Sequence, residues 1–315
     1  IKMIQAIKSN SFPKFLLKLL ASLFTLFIID LAGGAILQNF YFKQQSGYDY
    51  LTTYAIEKTK TSILILGSSR AKNIYNTTIF ENQTGLTCFN TGRDGEPIFY
   101  HYAILQAALK RYTPKIVILS FDAGNFSKNT DAYDKISALL PFYKTHPEIR
   151  SIIALKSPYE KLKLLSHIYP YNSLLLQIIA GNQEYNKEKY ITRKGFVPLD
   201  NFFSGPLKIF DYTKEKDLDS IKINTYKSFI QNCINHKVEL YIICPPYMIN
   251  PIGIDHSILE GKKIAQQYNI PYLDYSRDTS FTNNQLLFAD FRHLNVHGVE
   301  LLSNNVINKI GKRIK

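Results

Sequence analysis

Residues 62–73, SILILGSSRAKN, constrain the fold more than any other stretch of the chain. Ile63, Leu64, Ile65 and Leu66 are apolar without alternation, so they leave no face for water, and four residues are too few for a helix with a core face of its own. They predict a fully buried strand of a parallel sheet. Gly67 ends the run, Ser68 and Ser69 follow, and the sequence then turns helix-forming. In an open α/β sheet, ligands bind beyond the carboxyl ends of the strands, beside helix N-termini that favour negative charge. Two serines at that edge are either a turn with a helix cap or the place of a nucleophile. A second segment bears on the choice: ADFRHLNVHG, residues 289–298, sets Asp290 three residues before His293, so that a serine comes first in the chain and an acid and a base come last.

These two segments resemble the first and last blocks of the SGNH (GDSL-type) hydrolase superfamily. The first block has the form strand-Gly-Asp-Ser, matched by Gly67-Ser68-Ser69, and the last has the form Asp-x-x-His, matched by Asp290 and His293. The membrane-anchored envelope branch, which includes proteins similar to the D-alanine transfer protein of teichoic acid, often carries Gly-Ser-Ser in the first block. The resemblance covers residues 62–125 and 232–315. It implies Ser69 as nucleophile, His293 as base and Asp290 as the acid that orients it. It also implies an oxyanion hole made of the Ser69 N–H, the N–H of Gly92 in NTGRDG, and a third-block asparagine. The chain departs from the family's Gly-x-Asn there, because Gly124 and Asn125 are adjacent; Asn125 is the expected donor and Asp122 the rival. Asp122 in that place would remove a neutral donor and weigh against simple hydrolysis. A plain turn explains Gly92 equally well, since Gly and Asp are turn residues.

Residues 19–37 are apolar apart from Asp30 and small residues. About 19 residues at a rise of 1.5 Å come close to the ~30 Å hydrocarbon core. Lys2, Lys8, Lys14 and Lys18 precede the stretch, so the positive-inside rule places the N-terminus in the cytoplasm and the rest outside. The small residues at 32–35 keep a cleaved signal peptide as the competing reading. The expected organisation is a cytoplasmic tail and transmembrane anchor over 1–38, a stalk over 39–61, and an α/β domain over 62–315 with a cap inserted at about 129–216.

The 315 residues, 45% of them hydrophobic and 20% charged, can hold one large α/β domain with additions and are not those of a disordered chain. The net charge of +13 comes from scattered lysines with no nucleic-acid-binding motif. It suits an anionic surface or glycan, and no nucleic-acid partner is expected. Cys88, Cys233 and Cys244 lie on apolar segments without metal spacing and predict buried thiols.

Further strands are expected over 86–90, 115–120, 238–244 and 271–274, and helices over 98–111, 221–235, 255–267 and 296–310. The alternation indicates a three-layer α/β/α fold around a doubly wound parallel sheet. Residues 129–216 exceed what a crossover needs. They contain helical stretches at 149–155 and 159–180, with Pro147, Pro158 and Pro170 as breaks, and an aromatic loop at 191–206, whose rings could stack on sugars or fill a core.

The expected function is therefore an acyl ester hydrolase or acyltransferase acting on a cell-envelope polysaccharide or glycan, with a single-pass membrane anchor and no cofactor or metal. The family implies a membrane-bound acyltransferase as a further partner. A non-catalytic SGNH-like fold that binds a glycan or partner protein is the alternative. A metal site at His293, His297 and Asp290 is a third reading, since two histidines four apart can share a helical face.

Overall fold

A computed structural model describes residues 11–183, 194–214 and 217–314. The chain opens with helix α1, Ser11–Lys43, and a short break leads into α2, Gly47–Glu57. Then come β1 (Ile63–Leu66), α3 (Ser69–Ile74), α4 (Thr77–Thr84), β2 (Cys88–Asn90), α5 (Ile98–Arg111) and β3 (Ile116–Ser120). After a long helical excursion follow β4 (Lys208–Asp211), α6 (Ser220–Asn235), β5 (Glu239–Cys244), β6 (Ile249–Ile252), α7 (His256–Gln267), β7 (Tyr272–Asp274) and α8 (Val296–Ile314).

The central sheet has the order β2-β1-β3-β5-β7, with every pair parallel. β1, β3 and β5 are buried on both faces, which is why they read as near-continuous apolar runs, while the edge strand β7 is half-buried. Side-chain alternation divides them between two cores. Leu64, Leu66, Val117, Leu119, Leu240 and Ile242 pack with Ile104 of α5, Phe229 of α6 and Ile264 of α7. Ile63, Ile65, Ile116, Ile118, Tyr241 and Ile243 pack on the other side with Phe80 of α4 and with Val299, Leu302 and Val306 of α8. The layers are thus helix, sheet, helix, as expected. All three cysteines are buried free thiols.

Two expectations need correction. Residues 39–61 are not a stalk: α1 runs on to Lys43, and α2 packs against α5 with Leu51, Ala55 and Ile56 buried. The apolar positions of α2 recur at helical spacing, but its many tyrosines and threonines mask them. Residues 129–216 are not simply a cap, because Ile136, Leu139, Phe142 and Ile153 are buried in the same core as the sheet's first face. The stretch 159–180, in which Pro170 is expected as a break, is divided into short turns at Glu160–Lys163 and Tyr169–Asn172 and a helix at Leu175–Asn182, with Pro170 in the second. Lys216 and residues 191–193 of the aromatic loop lie outside the described residues.

Two parts of the excursion border the cleft at the sheet's carboxyl edge, its start at residues 129–135 and residues 194–214. β4 pairs in parallel with β6 as a separate two-stranded ribbon. The sequence hides this ribbon because its strands are half exposed and β6 contains Pro251.

Candidate active site

The site forms where the strand order reverses. β1 leads to β2 on one side while β3 lies on the other, and the crevice beyond their carboxyl ends is where open α/β sheets bind ligands. Gly67 is required at the end of β1: a Cβ there would lie 2.7 Å from Ser120 Cβ and 2.8 Å from Ala71 Cβ. The tight turn sets Ser68 as the N-cap of α3, its hydroxyl accepting from the Arg70 N–H, and Ser69 as the first helical residue.

Ser69 Oγ lies 2.9 Å from His293 Nε2. His293 Nδ1 lies 2.8 Å from Asp290 Oδ2 and 3.1 Å from Oδ1. Asp290 also accepts the backbone N–H groups of Arg292, at 2.7 Å, and His293, at 2.9 Å. Partial burial pushes its carboxyl up, but the hydrogen bonds from His293 and Arg292 outweigh that and hold it at about 2. An ionised carboxylate only accepts, so the imidazole carries its proton on Nδ1 and turns the lone pair of Nε2 to the serine hydroxyl. The loop is rigidly held: Ala289 donates to the His293 carbonyl, Phe288 bridges Leu294, and Met248 N–H donates to the Phe291 carbonyl. The structure therefore brings Ser69 to the Asp290–His293 pair although Ser69 and His293 are 224 positions apart in the chain.

The expected oxyanion donors divide. As the first residue of α3, Ser69 has no intrahelical acceptor for its N–H. Asn125 lines the cleft, and its amide has no hydrogen bond among the described residues. The loop that carries it is pinned by three bonds: Ala123 N–H to the Tyr247 hydroxyl, Gly124 N–H to Asp255, and Phe126 N–H to Ser257. Gly92 is not available in this arrangement. Its N–H donates to Asn90 Oδ1 at 2.9 Å, and its Cα is packed against the Lys72 backbone. Asn90 has been recruited to tie the strand end to α3, donating to the Ala71 and Tyr75 carbonyls. Asp122 is buried and belongs to the other serine, accepting the Ser68 hydroxyl at 2.5 Å, with Arg70 Nη1 3.6 Å away.

Sequence reasoning missed the residues that shape the cleft. Arg70 donates to the Pro246 carbonyl and lies 3.5 Å over the Tyr247 ring. Lys135, Phe210, Tyr212, Tyr247 and Arg292 line a cleft of about 440 Å³ beside Ser69. Phe210 stacks on Phe291 at 5.7 Å. Only Arg70 and Arg292 carried a local signal, being neighbours of Ser69 and His293; the rest arrive from remote segments. A groove bounded by Arg93, Ser173 and Gln177 shares Glu96, Asp131 and Lys135 with the cleft and so continues it. Of the third reading's ligands, His293 has protein partners on both ring nitrogens, and His297 stacks on Phe202 at 6.0 Å. Among the described residues no three His, Cys, Asp or Glu gather as a metal site.

No family model matches the chain, and no curated protein does. A solved structure from Bacteroides fragilis NCTC 9343, titled as that of a "putative acylhydrolase", is similar at 13% identity with a TM-score of 0.43, over 82% of this chain and 90% of that one.

Proposed function

We propose that this protein is a serine-dependent acyl ester hydrolase or acyltransferase of SGNH type, acting outside the cytoplasmic membrane on an acylated envelope polysaccharide or similar glycan. The observation that carries this reading is the unbroken chain of contacts Ser69–His293–Asp290 at the open end of the sheet. Ser69 Oγ attacks the ester carbonyl while His293 Nε2 takes its proton; Asp290 fixes the imidazole and stabilises the imidazolium. The Ser69 N–H and the Asn125 amide are the donors for the oxyanion, each worth on the order of 10²-fold or more in rate. His293 then returns the proton to the leaving alkoxide. Water or an acceptor hydroxyl, activated by the same histidine, attacks the acyl-serine and restores the enzyme. The aromatic rings of Phe210, Tyr212 and Tyr247 and the groove beyond Lys135 suit an extended, polar, ring-bearing substrate.

What supports placement at the membrane is α1, long and apolar enough over Phe12–Lys43 to cross a bilayer by length and composition. The lysines on its N-terminal side favour the N-terminus in the cytoplasm. The engaged Gly92 N–H and the buried Asp122 carboxylate favour a second reading, a binding protein with a degenerate oxyanion hole.

Active-site labelling separates the two. A fluorophosphonate should label wild type and Ser68→Ala but not Ser69→Ala, with the melting temperature little changed. Wild-type protein that resists labelling while remaining folded would favour the binding reading, and labelling that survives Ser69→Ala would refute Ser69 as nucleophile.

A further inference from the structure

Between Leu19 and Phe42, Asp30 is the only charged residue. About 20 residues of helix cross the hydrocarbon core, so with Lys18 at one boundary the apolar layer extends to roughly residue 38. Asp30 then sits about 12 Å inside the far boundary. A carboxylate at that depth must be partnered, and its partners come from the globular domain. Asp30 accepts from the Ser166 hydroxyl at 2.5 Å, the His167 N–H at 2.7 Å and the Ile168 N–H at 3.2 Å. Gly34 lets the backbones meet, since a Cβ there would lie 2.3 Å from His167 Cβ and 2.5 Å from its carbonyl carbon. Higher on α1, Asn182 donates to the Phe40 carbonyl at 2.9 Å. The segment between these clamps is thus held against the anchor at depths the bilayer occupies.

On this segment and the turn that leads into it, four large apolar side chains point outward, among exposed Lys161, Lys163, Asn172 and Gln177. Leu162 is 66% exposed, Leu165 71%, Leu176 82% and Ile179 55%, and Ile36 and Phe40 of α1 are also exposed. A cluster of this kind on a soluble surface marks an interaction site. We propose that Leu162, Leu165, Leu176 and Ile179 form a bilayer-docking face: the domain is sunk into the leaflet on the C-terminal side of the span, with these four side chains among the acyl chains and the exposed Lys161 reaching the headgroups. The occupant is lipid because the anchor itself fixes the height of the patch. The inference rests on α1 spanning the membrane and is independent of the chemistry at Ser69.

The chain has no tryptophan, so one introduced residue is a unique reporter. Full-length Leu165→Trp, Leu176→Trp, Leu23→Trp in the anchor, and Leu286→Trp on the opposite helical layer are each reconstituted in phosphatidylcholine vesicles with and without brominated acyl chains. Emission of Leu165→Trp and Leu176→Trp should be blue-shifted and quenched several-fold more than that of Leu286→Trp, approaching Leu23→Trp. If Leu23→Trp is quenched while both face variants behave like Leu286→Trp, the docking face is overturned and the anchor stands. A blue shift without bromolipid quenching means that protein, not lipid, covers the face, which also overturns it. If Leu23→Trp itself is not quenched, the spanning helix fails and the inference with it.

Discussion

Asp290 does two jobs with one carboxylate: it orients His293, and it closes the turn by accepting two backbone N–H groups. Asparagine can keep the backbone bonds through its carbonyl oxygen but can also donate to Nδ1, which favours the wrong imidazole tautomer. Asp290→Asn should therefore lower acyl transfer by about 10⁴-fold, the scale seen when a triad acid is neutralised, measured as the rate of p-nitrophenyl acetate turnover. The same substitution carries a stability signature. The folded carboxyl sits at about 2, below its ordinary 3.8, so its contribution is fully present above 3.8 and is lost as pH falls through 2. The urea midpoint of wild type should exceed that of Asp290→Asn at pH 5 and converge with it toward pH 2. A gap that does not depend on pH in that range would mean the ionised form is not what the fold favours.

At the level of elements, the crevice depends on a loop that crosses from the excursion onto β2. Gly195 has φ +87°, and a Cβ there would lie 1.8 Å from the Asn90 carbonyl oxygen, where the Asn90 N–H also meets the Lys194 carbonyl. Gly85, which ends α4 at φ +68°, has nothing within 4 Å of its would-be Cβ. Both alanines incur the left-handed penalty of about 1–2 kcal/mol, but only Gly195→Ala adds a backbone collision. Chemical denaturation should show Gly85→Ala destabilised by about 1 kcal/mol and Gly195→Ala by clearly more. Because Asn90 also holds the Ala71 and Tyr75 carbonyls, Gly195→Ala should slow labelling of Ser69 as well. Equal destabilisation of the two variants would show that the loop yields freely.

Across the whole molecule, the long excursion is half core and half rim. Ile136, Leu139, Phe142 and Ile153 are fully or nearly fully buried against α5 and the strands, and losing large core side chains costs about 2–5 kcal/mol each. That sum reaches the roughly 5–15 kcal/mol by which domains are stable. Replacing residues 129–216 by a short linker should therefore abolish the folded state, seen as loss of a cooperative melt and of protease resistance. A truncated protein that stays folded and turns over p-nitrophenyl acetate would restore the separable-cap reading.

The sequence by itself determined the features that are short in range and strong in pattern. The unbroken apolar run before Gly67 gave a buried parallel strand, the helical period of 98–111 gave α5, and the apolar residues 19–37 gave a helix long enough to span a bilayer. The pairing of Asp290 with His293 was legible for the same reason, since both lie on one turn. Tertiary structure decided whatever depended on contacts between distant segments. It engaged the Gly92 N–H with Asn90, because the buried strand end needed its polar groups satisfied. It gave Asp122 to Ser68 rather than to an oxyanion. It drew residues 47–57 and much of 131–182 into the core, where apolar side chains scattered among tyrosines and lysines are gathered only by the fold. It also brought Asp30, on sequence merely an interruption of an apolar helix, to the loop at 166–168, whose Ser166 hydroxyl and His167 and Ile168 N–H groups it accepts, so that α1 is tied to the globular part of the chain.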